Sequence, residues 1–304
     1  MGAEQRGSEF VVAPPGCAPG VTSMTGYRGL ALPETVHRGL PSAALTFIVS
    51  LDAGVQAADT LAGLSVARPT PVLLAGLRTR ASRVQQRRGQ AGVQLAVHPL
   101  ASRALFGMPA AELTGADFDA AAVLGGGLAD LHGRVSDAAG WAQAFSAVAG
   151  YLRAAHRDTT APRPEIAHAW WLLEHHGGRI RVGALADRVG LSPRHLTTLF
   201  RREVGQTPKT VAELMRFTGA RTRIAAAARA GRVDLAAIAV GTGYSDQAHL
   251  TREFSRFAGI APRRWLAEEF RNIQDGGHTA EAPWCHDHAT FAPQSHGLVD
   301  PAGA

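Results

Sequence analysis

The spacing of hydrophobic and polar positions changes part-way along the chain. In the first half, Ala44–Leu51, Val72–Leu77 and Val93–His98 are short, mainly apolar runs, and their length suits strands. Beyond Pro109 the period lengthens. Asp117–Leu124 and Trp141–Ala155 predict helices, the second with Trp141, Phe145, Val148 and Leu152 along one face. From Pro164 to residue 270 the pattern is helical almost throughout. Ile166, Trp170 and Leu173 share one helix face, ended by Gly177-Gly178; Val182, Leu185, Ala186 and Val189 share the next, stopped by Gly190. Ser192 is a natural N-cap and Pro193 suits the first helical position, so another helix starts there and buries Leu196, Leu199, Phe200 and Val204. A long helix covers Pro208–Ala230, and Leu235, Ile238 and Ala239 line a short one. Ser245 or Asp246 caps a helix with Leu250, Phe254 and Phe257 inward, and a last helix begins at Pro262.

Three stretches lack any period. Residues 1–22, rich in Gly, Pro and small residues, predict a flexible N-terminus. Asp158–Pro164 has a breaker composition between two helical patterns and predicts a linker. Residues 273–304 predict a disordered tail. The expected organisation is multidomain: an α+β unit over 23–157 and an all-α unit over 165–272.

Sliding the helical unit along itself exposes a repeat. Leu185-Ala-Asp-Arg-Val-Gly-Leu-Ser192 lies over Ile238-Ala-Val-Gly-Thr-Gly-Tyr-Ser245. After one inserted residue, His195-Leu-Thr-Thr-Leu-Phe200 lies over His249-Leu-Thr-Arg-Glu-Phe254, and Gly205-Gln-Thr-Pro208 over Gly259-Ile-Ala-Pro262. Each copy is a short helix, a glycine turn, a polar cap and a second helix, which is the order of a helix-turn-helix. Leu196/Phe200 and Leu250/Phe254 anchor the second helix by one face. The opposite face is then free to enter a major groove. It presents Arg194, Thr197, Thr198 and Arg201 in the first copy, and Gln247, Ala248, Thr251, Arg252 and Ser255 in the second.

Charge sharpens this picture. The whole chain of 304 residues carries +6, but residues 163–273 hold 17 Arg and one Lys against 10 acidic residues, net +8. A basic helical unit beside a near-neutral one points to a polyanionic partner. With 46% apolar residues the chain can build a core, and no apolar run is long enough for a membrane span. The composition and the absence of a secretory signal predict a soluble cytoplasmic protein with no membrane partner. Cys17 and Cys285 form no disulfide framework.

Residues 164–270 resemble the DNA-binding domain of the AraC/XylS family of transcriptional regulators. The most specific stretch is Gly243-Tyr-Ser-Asp-Gln-Ala-His-Leu-Thr-Arg-Glu-Phe-Ser-Arg-Phe257, followed by Gly259-Ile-Ala-Pro262-Arg-Arg-Trp265. The first repeat matches more loosely: Thr198 stands where the family often has Arg, and Val211 where an aromatic is common. The resemblance implies two helix-turn-helix units joined by a linker helix and reading successive major-groove segments of double-stranded promoter or operator DNA. The DNA contacts expected are Arg194, Thr197, Thr198 and Arg201, then Gln247, Thr251, Arg252 and Arg256. Contact with RNA polymerase is compatible with that role.

Residues 23–155 resemble, more weakly, N-terminal regions of one AraC-like group, a cupin-like sheet followed by helices. The matching features are Ala44–Leu51 after Gly39-Leu-Pro41, then Gly92–Pro99 and Leu105-Phe-Gly-Met-Pro109. That resemblance implies sensing of a small-molecule effector, homodimerisation, or both. The competing interpretation is a cupin-like enzyme or ligand-binding protein carrying a basic helical interaction domain. Against catalysis, His37, His98 and His132 are isolated rather than set in His-x-His, and no nucleophile elbow, phosphate loop or dinucleotide fingerprint is present. No enzyme activity, cofactor or catalytic metal is expected. Arg78, Arg80, Arg83, Arg87 and Arg88 predict a solvated loop, Cys285-His-Asp-His288 adventitious metal capture, and Cys17 no activated thiol.

Overall fold

The structure, a computed structural model, describes residues 8–29, 34–114, 119–157, 161–274 and 278. Its N-terminal part is built on two antiparallel sheets. Strands β1 (Ser8–Val12), β2 (Val21–Gly29), β3 (Thr35–Gly39), β4 (Leu45–Ser50), β5 (Ala57–Ala58), β6 (Val72–Ala75), β7 (Ser82–Gln86) and β8 (Ala91–Val97) sort into a five-stranded sheet, β1-β2-β8-β4-β6, and a three-stranded sheet, β3-β7-β5. Helix α1 (Leu61–Val66) precedes β6, and α2 (Ser102–Phe106), α3 (Ala121–Leu124), α4 (Gly127–Ser136) and α5 (Trp141–Ala155) follow the sheets.

Side-chain alternation explains the layers. On β4 and β8 the residues Leu45, Phe47, Val49, Val93, Leu95 and Val97 are fully buried, and Phe47 meets Phe106 of α2 at 5.9 Å between ring centroids. Their neighbours Thr46, Ile48, Gln94 and Ala96 point to the opposite face and line a cavity. The cavity side of β2 carries Ser23, Thr25 and Tyr27 rather than aliphatic residues, so β2 gives no apolar run in the sequence.

Several expectations need correction. The start of the chain is not loose over Ser8–Val12, which pairs with β2 from Ser8↔Gly29 to Val12↔Thr25. The arginine run is not a loop throughout, because Ser82–Gln86 is a strand between β3 and β5. Within the expected Asp117–Leu124 helix, only Ala121–Leu124 is helical among the described residues. Helix α4 is hidden by Gly127 and Gly133, yet Leu128, Leu131 and Val135 at i, i+3 and i+7 bury one face. Residues 279–304, including Cys285 and His288, lie outside the described residues.

The C-terminal part is helical: α6 (Pro164–His175), α7 (Val182–Arg188), α8 (Pro193–Val204), α9 (Pro208–Arg229), α10 (Leu235–Gly241), α11 (Gln247–Ala258) and α12 (Pro262–Gln274). An aromatic series runs through its core. Trp170 of α6 stacks on Phe200 of α8 at 5.9 Å, Phe217 of α9 lies 5.0 and 5.2 Å from Phe254 and Phe257 of α11, and Trp265 of α12 closes on Phe254 at 5.6 Å. No described helix is long and apolar enough to cross a membrane.

Candidate nucleic-acid interface

The two copies of the repeat fold alike. In each, a seven-residue helix (α7, α10) is followed by a turn and a twelve-residue helix (α8, α11). The turns need Gly190 and Gly243, whose φ angles of 69° and 85° lie in the left-handed region that other residues enter at a cost. The long helices start on side-chain caps. Ser192 accepts from the His195 backbone N–H at 3.2 Å, and Asp246 from that of His249 at 2.6 Å. Of the two caps considered for α11, Asp246 is therefore the one used. That hydrogen bond is the main reason the Asp246 carboxyl sits below the ordinary carboxylate range.

Burial then orients each helix. Leu196, Phe200 and Val204 face inward on α8, and Leu250, Phe254 and Phe257 on α11. Arg194, Thr198 and Arg201 are exposed on α8, with Thr197 half-buried beside them; Gln247 and Arg252 are exposed on α11, with Thr251 half-buried. The threonine hydroxyls donate to their own helix: Thr197 to Pro193 O (2.7 Å), Thr198 to Arg194 O (3.1 Å) and Thr251 to Gln247 O (2.8 Å). Long, unshared donors on the outward faces thus come from arginine and glutamine.

Arg256 behaves differently from the other expected contacts. Its guanidinium pairs with Glu213 of α9 at 2.9 Å and Glu253 at 3.6 Å, and lies 4.2 Å from the Phe257 ring. It ties α11 to the linker helix. The partner Glu253 is a residue that periodicity alone does not reveal as functional. It is 8% exposed on the inward face of α11 and meets Arg216 of α9 at 3.3 Å. Arg216 also donates to Gly178 O at 2.8 Å and sits 5.7 Å from the Tyr244 ring, whose phenol burial holds well above its usual range. A carboxylate between Leu250 and Phe254 on an otherwise apolar face is the signal that could have found this network.

The 22-residue α9 joins the units, burying Val211, Leu214, Phe217 and Ile224. Residues 185–268 match the family model for a helix-turn-helix domain. The C-terminal block thus contains a helix-turn-helix domain. Over 89 residues the chain is 35% identical to the HTH-type transcriptional regulator Rv1931c of Mycobacterium tuberculosis, covering 29% of the chain and 33% of that protein. The chain thus spans about a third of the length of the curated relative it matches. Among solved structures, a Chromobacterium violaceum regulator with an AraC-type DNA-binding domain is 23% identical, with 35% of this chain and 92% of that one covered and a TM-score of 0.30. ToxT from Vibrio cholerae is 12% identical, with 80% of this chain and 97% of that one covered and a TM-score of 0.46.

The isolated histidines of the sheet domain all find structural partners. His37 Nδ1 meets Glu269 of α12 at 2.9 Å, His98 Nε2 meets Glu174 of α6 at 3.4 Å, and His132 Nε2 lies 3.1 Å from Asp52 O. Two of the three therefore sit on the boundary with the helical domain. Cys17 is half-buried, and burial pushes its thiol up.

Proposed function

We propose that the chain is a sequence-specific, DNA-binding transcriptional regulator that reads two successive major-groove segments. The observation that carries this is the duplication: two capped, twelve-residue helices, each anchored by an apolar face, each with arginine outward, joined by one continuous helix. Arg252 and Gln247 would read base edges in the second segment. Arg194 and Arg201, with the shorter Thr197 and Thr198, would make the contacts in the first, and Thr251 would pack against the groove. Arg256, half-exposed and already shared with two carboxylates, suits a phosphate rather than a base. Selection from a random duplex pool, followed by gel shifts with the full chain, tests the proposal. Enrichment of one bipartite site is expected; equal retention of all duplexes, lost at moderate salt, would overturn sequence-specific recognition.

A cavity of about 300 Å³ between the two sheets favours a second role, sensing a small effector. Arg28, Arg38, Arg78, Arg87 and Arg221 line it, and no described lining residue is acidic. Arg38 and Arg78 meet the carboxylates of Glu268 and Asp59 outside the lining, whereas Arg87 donates to the neutral Gln56. Such a lining suits a small anion with an apolar body. Titration of octanoate against octanamide and of phenylacetate against phenylacetamide, read by thermal unfolding, should show stabilisation by the acids. Equal shifts from the amides would remove the charge preference.

A further inference from the structure

We infer that the segment Leu77–Ala81 of the sheet domain is a brace that fixes the separation of the two recognition helices. Its two ends meet the two helix-turn-helix units, each at or just beyond the C-terminal turn of the recognition helix. At one end, Gln206, just beyond α8, donates to Leu77 O at 3.1 Å. At the other, the Ala81 N–H donates to Phe257 O in the last turn of α11 at 2.8 Å. In the repeat register, Phe257 stands over Glu203, and Glu203 is itself held by the sheet domain: Arg103 of α2 donates to its two oxygens at 2.8 and 2.9 Å. The sheet domain therefore grips the same turn of both recognition helices.

The geometry makes the grip restrictive. Four peptide steps separate Leu77 from Ala81, a reach of at most ~14 Å. Leu77 is 2% exposed, so one end is anchored in the core of its own domain. Arg38 adds a flank beside the second unit, pairing with Glu268 of α12 at 3.0 Å. With α9 joining the units on one side and this segment on the other, the recognition helices are held in a closed loop of contacts rather than by the linker helix alone. Arg78 of the segment lines the cavity, as do Gly76 and Ser82 on either side of it, so the brace borders the cavity. Its use in recognition rests on the DNA-reading role proposed above; its geometry does not.

The test uses the full chain with Cys17→Ser and Cys285→Ser, and spin labels at Arg194→Cys and Gln247→Cys. Pulsed dipolar spectroscopy should give one narrow distance distribution. Inserting Gly-Ser-Gly-Ser after the exposed Arg80 should broaden it at least twofold while helix content by circular dichroism is unchanged. If the insertion prevents folding, the pair Gln206→Ala with Arg103→Ala removes two grips at half-buried side chains and should broaden it as well. An unchanged distribution in either folded variant overturns the brace. On DNA, sites chosen by the unlabelled full chain and altered by one or two base pairs between the half-sites should lose at least tenfold in affinity for the parent. The loss should be less than threefold for the insertion variant. An identical spacing profile overturns the role in recognition, and failure of the parent to select any duplex overturns the DNA reading while the label distances still decide the brace.

Discussion

Arg252 has the reach and exposure to make a bidentate contact with guanine, and none of the carboxylates that engage Arg256 pairs with it. Replacing it with Ala should cost roughly 1–3 kcal/mol of binding and relax preference at one or two base pairs. Titrations against single-base variants of the selected site check this, and uniform weakening on all of them would make Arg252 a phosphate contact. Arg194→Ala should lose less specificity, because its neighbours Thr197 and Thr198 spend their hydroxyl protons on their own helix. Glu253 poses an opposite question, about packing. Leu199 occupies its place in the first unit, so the position accepts an apolar side chain in principle. Arg216 does not accept the loss: Glu253→Leu strands a mostly buried guanidinium, and stability should fall by about 3 kcal/mol. Adding Arg216→Met should restore most of that in chemical denaturation. Equal stability of the single and parent chains would mean that Gly178 O and Tyr244 satisfy Arg216 alone.

At the scale of elements, caps decide where recognition helices begin, and α11 begins on a charge. Because its hydrogen bond depresses the Asp246 carboxyl in the folded state, the contribution is present above the unfolded-state value, ordinarily ~3.9, and is lost as pH falls through the lower folded value. Asp246→Asn keeps an acceptor without the titration. Thermal melts of the two chains should therefore diverge at neutral pH and converge in acid; a constant gap would assign the effect to something other than ionisation. The same caps made the helical half readable in sequence. Ser192-Pro193, the paired glycines and the apolar spacing of Leu196/Phe200 and Leu250/Phe254 are local signals, and each helix of the repeat lies where those signals put it. The sheets were less legible. Strand β2 buries only Met24 and Gly26, β7 only Ser82 and β3 no residue, so Ser23, Thr25, Arg83 and Gln85 dilute the apolar pattern that identifies β4 and β8. The Glu253–Arg216 pair and the brace are long-range contacts, and neither leaves a period in the chain.

For the whole molecule, the question is what sets the register between the two reading helices. Helix α9 has 22 residues, about 33 Å at 1.5 Å each, close to the ~34–36 Å of one DNA turn. Met215 lies in its first half and is buried, so Met215→Pro should remove a helix hydrogen bond and cost about 3 kcal/mol or more, splitting the footprint into independent patches. The sheet domain can be removed altogether. Residues 161–274 keep the aromatic core of Trp170, Phe200, Phe217, Phe254 and Trp265. The ion pairs across the boundary, such as Arg103–Glu203 and Arg38–Glu268, are partly exposed, each worth about 0–1 kcal/mol. The fragment should thus fold by circular dichroism and still bind the selected site. It lacks Leu77–Ala81, however, so only α9 and its packing hold the units apart. Its affinity for sites with one or two base pairs added between the half-sites should fall less steeply than that of the full chain. A folded fragment that discriminates spacing as sharply as the full chain would place the register in α9 alone.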